Sequence, residues 1–264
     1  MSATLDLLVV GGGPAGSAAA ITAAGAGLTT VVCDKAVFPR DKACGDGLTA
    51  GALRLLERLG LEPSAVPSFH PVTEVVLCSP SGRVVELPMP TNGLFAATAP
   101  RAELDHALVE LAGKSGADLR LGAGLTELEP EEDQVRAAFS DGSEVRARYL
   151  VAADGAYSTV RRLLAPSHSP RLGEWHAFRQ YFTGVAEPRL WVVFEPDVLP
   201  GYAWVFPLPD GRANVGFGLP REDGRPVRFM AGQLDGMQAF MTGKLKLSGD
   251  MMFAQTMQAW FAPR

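Results

Sequence analysis

The sequence predicts an α/β (α+β) chain in which a βαβ nucleotide-binding unit is interleaved with an antiparallel β-sheet. Three observations carry that expectation. A strand-length apolar run near the start meets a glycine turn and then an Ala-rich segment. Short alternating segments punctuated by turn residues fill about 66–98 and 172–219. Beyond Leu219 the composition changes, and a short C-terminal strand–helix module is expected there. With 47% hydrophobic and 20% charged residues over 264 positions, the make-up is that of a folded globular chain.

The opening run, Leu5-Asp6-Leu7-Leu8-Val9-Val10, reads as a buried strand. Gly11, Gly13 and Gly16 then form G-x-G-x-x-G between a strand and a helix, which is the context that gives the motif meaning. Gly11 permits the tight turn, Gly13 lets a pyrophosphate approach the backbone, and Gly16 lets helix and strand pack closely. Pro14 suits the first helical turn, and Ala15 follows it where free N–H groups and the helix dipole favour phosphate. The helix leads to Val31-Val32-Cys33-Asp34, a second strand ending in the acid that would meet a ribose hydroxyl. This is a Rossmann-like βαβ unit, and the motif alone leaves NAD and FAD equally open.

After Asp34 comes a polar, glycine-bearing loop, Phe38-Pro39-Arg40-Asp41-Lys42-Ala43-Cys44-Gly45-Asp46-Gly47, in place of a further βα unit. A helix is expected over about 48–59, with Leu48, Leu53, Leu56 and Leu59 on one side. Residues 72–78 and 83–87 alternate around Ser81-Gly82 as a hairpin. A second helix over 101–115 has Leu104, Leu108 and Leu111 on one face. Strands near 117–121, 124–129, 134–139 and 144–151 follow, with turns at 131–133 and 141–142. The β-rich stretch beyond includes 175–185, 190–195, 202–206 and 212–218, antiparallel in character, with aromatics alternating onto one face.

A net charge of −5 leaves no basic footprint for nucleic acid. Cys33, Cys44 and Cys78 make neither a disulfide framework nor metal-ligand spacing, so no metal is expected and a reducing, cytoplasmic setting fits. The first apolar run contains Asp6 and turns at Gly11, unlike a signal peptide. No uninterrupted apolar stretch is long enough to span a bilayer, so a membrane-resident substrate would be met by peripheral contact. The four histidines are scattered, and catalysis is assigned to none. Nothing in the sequence fixes an oligomeric state.

Four stretches resemble FAD-dependent oxidoreductases of the geranylgeranyl reductase type, within the wider aromatic-hydroxylase-like flavoproteins. They are the glycine motif with Asp34, the 38–47 loop, Ala153-Asp154-Gly155 with Ser158 and Arg161, and Tyr202-Ala203-Trp204-Val205-Phe206-Pro207 followed by Gly216-Phe217-Gly218. The resemblance covers about 1–219, with nucleotide-binding parts at about 1–60 and 101–165. It implies FAD along the glycine turn, with Ala15 near the pyrophosphate, Asp34 on the adenosine ribose and the backbone of Leu125 near adenine. It implies that Arg101 reaches the phosphate or ribityl region and that Cys44, Gly45 and Gly47 line the flavin. Asp154 and Gly155 would support the cofactor and the approach of NAD(P)H or another reductant. Tyr202, Trp204 and Phe206 would wall an apolar tunnel for an isoprenoid or lipid-like chain, with Tyr202, Trp204 and Cys44 as candidate catalytic residues. The implied chemistry is hydride transfer from reduced flavin to an isoprenoid carbon–carbon double bond.

Relatives of that type continue with a Gly-Asp segment whose helix holds the flavin's ribityl side, for which Gly249-Asp250 is the candidate here. Residues 220–227 read as a linker, and 228–264 resemble the end of a sterol-carrier-protein lipid-binding domain, through Gly243-Lys244-Leu245-Lys246-Leu247 and an apolar helix. Two alternatives therefore stand beside the reductase. One is a lipid-binding or interaction protein on an incomplete flavoprotein scaffold. The other is a flavin-dependent monooxygenase or halogenase, against which the tryptophan motif speaks.

Overall fold

The computed structural model describes residues 5–165, 175–185, 187–196 and 198–220. The chain opens with β1 (Leu5–Val10), the glycine turn, α1 (Pro14–Gly25) and β2 (Thr30–Asp34). The 38–47 loop leads to β3 (Gly47–Thr49), α2 (Ala50–Arg58) and β4 (His70–Pro71). Next come the hairpin β5 (Glu74–Cys78) and β6 (Val84–Pro88), then β7 (Ala96–Thr98) and α3 (Arg101–Lys114). Four strands follow, β8 (Asp118–Leu121), β9 (Leu125–Pro130), β10 (Val135–Phe139) and β11 (Glu144–Ala152), and then the short α4 (Thr159–Leu164). The described part ends with β12 (Trp175–Thr183), β13 (Leu190–Val193), β14 (Tyr202–Leu208) and β15 (Arg212–Pro220).

The first sheet runs β8-β2-β1-β11-β10-β9, parallel from β8 to β11 and antiparallel beyond. Strand β1 pairs on both edges, with β2 and β11, and both of its faces are covered by packed cores, so its run from Leu7 to Val10 is apolar throughout. Leu7 and Val9 point to one side, into a core with Ile21, Val32, Leu104 and Leu108 that holds α1 and α3 against the sheet. Leu8 and Val10 point to the other, into a core with Val31, Cys33, Ala137, Phe139 and Val160. Burial pushes the Cys33 thiol up to about 12, which makes it an inert packing residue.

The second sheet runs β12-β15-β14-β13-β5-β6. The sequence suggested an antiparallel sheet, and most pairs are antiparallel, but β13 joins β5 in parallel, Leu190 beside Val75 through Val193 beside Cys78. That pairing is between segments remote in sequence and leaves no local trace. A small sheet, β3-β7-β4, lies between the other two in the chain's course. The helix expected from Leu48 begins instead at Ala50, because the Thr49 hydroxyl accepts from the Ala52 N–H while Leu48, in β3, pairs with Ala97 in β7. The tail expected over 228–264, with its Gly249-Asp250 candidate, lies outside the described residues.

Candidate functional site: a dinucleotide turn joined to an aromatic strand

The glycine turn is built by close backbone approach. Gly11 has φ +105 and donates its N–H to the Cys33 carbonyl at 2.8 Å. A Cβ at Gly16 would fall onto the Gly11 carbonyl oxygen, so only glycine lets α1 start this near β1. The α1 N-terminus has no side-chain cap, and Pro14 and Ala15 are exposed there. A Cβ at Gly13 would meet only an Arg40 nitrogen, at 3.7 Å, which leaves room above the turn. Asp34 closes the adjacent corner, its carboxylate accepting from Gly12 N at 2.6 Å and Ala36 N at 2.8 Å. Leu125 opens β9 two residues after Ala123, which with Gly122 donates to the Asp34 carbonyl.

Asp154 sits beside the turn, since its backbone nitrogen and the Ala153 carbonyl crowd the empty side of Gly11. One of its oxygens accepts from Thr159 N and Val160 N and so caps α4. Its other oxygen is buried and has no protein partner, a capacity that a bound group's hydroxyl would satisfy. Gly155 turns there with φ +82.

On the other side of the turn, Arg101 grips Asp105 through two bonds of 2.7 Å, and Arg40 reaches the same carboxylate at 2.8 Å. Asp105 is fully buried. Desolvation works against the Arg101 guanidinium, but the hydrogen bonds and charge of Asp105 outweigh it and hold its pKa up. Two cations on one anion leave a positive surplus beside Gly13, suited to phosphate. Sequence reading chose Arg101 and missed Arg40. The available signal was the Arg101–Asp105 spacing on one helix face, which left a second arginine in the adjoining loop unassigned.

From Arg101, whose backbone N–H donates to Asp46 at 3.3 Å, the site passes to Cys44 and the Gly45–Gly47 turn. The second sheet lays Phe194, Tyr202, Trp204 and Phe206 in a ladder of rings about 6 Å apart (6.1, 5.9 and 6.0 Å). Gly45 and Gly47, expected to line a flavin, also make room for this ladder. A Cβ at Gly47 would meet the Phe206 ring at 2.8 Å, and one at Gly45 would meet Phe206 and Trp204 at 3.3 and 3.4 Å. Trp204 is only 5% exposed and donates its indole N–H to Asn214 at 3.0 Å, whereas Tyr202 is 40% exposed. Of the two, Tyr202 presents the open ring and Trp204 the fixed one. Asp46, Tyr181 and Asn214, which sequence reading did not single out, meet behind the turn. Among the described residues no cluster of side chains could hold a metal ion.

The cradle at Gly11–Gly16, the acid at Asp34, the arginine pair and the unpartnered Asp154 oxygen together fit an extended dinucleotide. Comparison with known proteins names it. A profile of the FAD-binding domain matches residues 4–185, and one of the SCP-2 sterol transfer family matches 206–262, starting within β14. The chain is similar to a menaquinone reductase of Mycolicibacterium smegmatis, 38% identical over 86% of this chain and 58% of that protein. It is similar to digeranylgeranylglycerophospholipid reductase 1 of Methanopyrus kandleri, 32% identical over 84% of this chain and 59% of the relative. Among solved structures it resembles a geranylgeranyl bacteriochlorophyll reductase-like protein of Thermoplasma acidophilum, with TM-score 0.72 and 29% identity over 82% of this chain and 57% of that one. The chain thus spans under three fifths of these relatives' length. A match of that extent, on a turn already shaped for a dinucleotide, makes this chain a member of the FAD-binding domain family, with FAD as its cofactor.

Proposed function

We propose that the chain provides the flavin site and substrate wall of a reductase that saturates isoprenoid carbon–carbon double bonds. The observation that carries this reading is the seating of the Cys44–Gly47 turn on the Tyr202–Phe206 strand, which sets an aromatic wall beside the cofactor site. The relatives support it, because the substrates in their names share a prenyl chain. Bound FAD would supply the hydride chemistry. The glycine turn and α1 would hold the pyrophosphate, Asp34 the ribose, and Arg40 and Arg101 the remaining phosphate charge. Tyr202 would lie along the apolar chain and exclude water, and the Tyr202 hydroxyl or the Cys44 thiol would supply the one proton that completes the saturation after hydride transfer. NAD(P)H or a comparable reductant would serve as donor. Among the described residues no helix is long and apolar enough to cross a membrane, and a prenyl substrate would be drawn from a membrane surface.

The test is direct. Protein titrated with FAD should acquire flavin absorbance, and its anaerobically reduced form should convert a polyprenyl substrate into a product two hydrogens heavier. Failure to take up FAD sinks the reading. The SCP-2 match over 206–262 favours a second one, in which this chain binds lipid without reducing it. That reading expects saturable binding of a fluorescent lipid, lost on deletion of 228–264 but kept in Tyr202→Ala, with the lipid recovered unchanged.

A further inference from the structure

Behind the turn lies a closed set of polar contacts. Asp46 is 1% exposed and has φ 64, a left-handed conformation that most side chains avoid. One carboxylate oxygen accepts from the Tyr181 hydroxyl at 2.6 Å and from the Asn214 amide at 2.7 Å. The other accepts from Arg101 N at 3.3 Å. The backbone carbonyl of Asp46 takes the Ala99 N–H.

Asn214 is fully buried, and both of its amide hydrogens and its oxygen are engaged. Its amide hydrogens go to the Cys44 carbonyl at 2.8 Å and to Asp46, and its oxygen accepts the Trp204 indole N–H. Reversing the amide would set oxygen against two acceptors and N–H against an indole N–H, so only one orientation is stable. Tyr181 and Asn214 are direct cross-strand partners on β12 and β15, and Trp204 lies over Gly216, which has no side chain to displace it. The far side of Tyr181 is covered by the Arg179 guanidinium at 4.3 Å, which also binds Asp41 in the same loop. Donation thus runs one way, from Trp204 to Asn214 to Asp46 and from Tyr181 to Asp46.

We propose that Asp46 is a positioning residue, the terminal acceptor that fixes Asn214 and through it the Trp204 indole and the Cys44 peptide at the flavin-facing turn. The inference deepens the reductase reading, on which its catalytic consequence rests. Its structural content does not depend on flavin or turnover.

The variants are Asp46→Asn, which tolerates the left-handed backbone and keeps an acceptor for Asn214, and Asp46→Gly, which suits that backbone and has none. The readout is the Trp204 indole N–H signal in flavin-free, nitrogen-15-labelled full chain, identified by its loss in Trp204→Phe. In Asp46→Gly its hydrogen exchange should quicken by about tenfold, the equivalent of one hydrogen bond. In Asp46→Asn it should stay near wild type. On the FAD-loaded protein kcat should fall in Asp46→Gly with KM for the prenyl substrate held, and recover in Asp46→Asn. A folded Asp46→Gly with wild-type exchange overturns the proposal, as does an Asn variant that behaves like Gly. Should Asp46→Gly not fold, Tyr181→Phe removes one donor from the same oxygen; its Trp204 signal must shift, and an unmoved signal overturns the proposal. Loss of reductase activity in the wild type would leave the exchange result untouched, so the two readings fail separately.

Discussion

Asp105 illustrates how one side chain can hold a site together. It has no solvent contact, and its two oxygens are shared between Arg40 from the loop and Arg101 one helical turn back. Removing the carboxylate would leave two guanidinium groups, each about one fifth exposed (21% and 18%), facing one another without an anion. A broken buried pair of this kind costs about 3–5 kcal/mol, so Asp105→Ala should lower the unfolding free energy by that amount in a urea titration. Arg40→Ala should cost less, because Arg101 keeps both of its bonds to Asp105. It should instead weaken FAD binding, read as a rise in the apparent Kd. An Asp105→Ala protein as stable as wild type would show that the two arginines have other anchors.

At the level of elements, the β1–turn–α1–β2 unit was legible because its signals are local. Apolar runs, glycine spacing and Asp34 lie within one stretch, and the steric reason is now visible at Gly16, whose Cβ would fall onto the Gly11 carbonyl. Gly16→Ala should therefore cost about 1–3 kcal/mol or more as α1 is pushed off β1. Gly25→Ala, at the end of the same helix with nothing within 4 Å of its Cβ position, should stabilise by about 0.5–1 kcal/mol. Urea midpoints of the two variants moving in the same direction would refute this steric account. The hairpin β5–β6 and the strands β8 to β11 were likewise readable from alternation and turn residues. The parallel β13–β5 pair and the start of α2 were not, since one depends on segments far apart and the other on a single Thr49 cap. The site divides in the same way. Gly11, Gly13 and Asp34 announce themselves by motif and Arg101 only by resemblance to a family, whereas Asp46, Tyr181 and Asn214 come from three separate segments whose meeting only the fold creates. A buried Asp in helix α3 or an Asn in strand β15 looks in sequence like an ordinary surface residue.

Among the described residues, polar ties join the small sheet and the 38–47 loop to the second sheet. Thr98 on the small sheet donates to the Pro207 carbonyl, Arg212 reaches Ser68 at 2.9 Å, and Asp46 takes Tyr181 and Asn214. Of these groups Asp46 is the carboxylic acid, and its linkage to global stability has a definite sign. Burial raises its pKa above the ordinary 3.8, outweighing the lowering by Tyr181, Asn214 and Arg179. The folded chain therefore binds this proton more tightly than the unfolded one does. The corresponding stabilisation is complete below about pH 3.8, declines as pH rises through the elevated folded pKa, and is absent above it. Asp46→Asn carries no such dependence. The unfolding free energy of wild type relative to Asp46→Asn should accordingly fall as pH is raised from the ordinary carboxylate range through the folded pKa, then become flat. Urea titrations of both proteins across that window measure it, with every other titrating group common to the pair. A wild type that gains on the variant over the same window would mean that the hydrogen bonds from Tyr181 and Asn214 outweigh burial, and that Asp46 is held as a carboxylate by its partners.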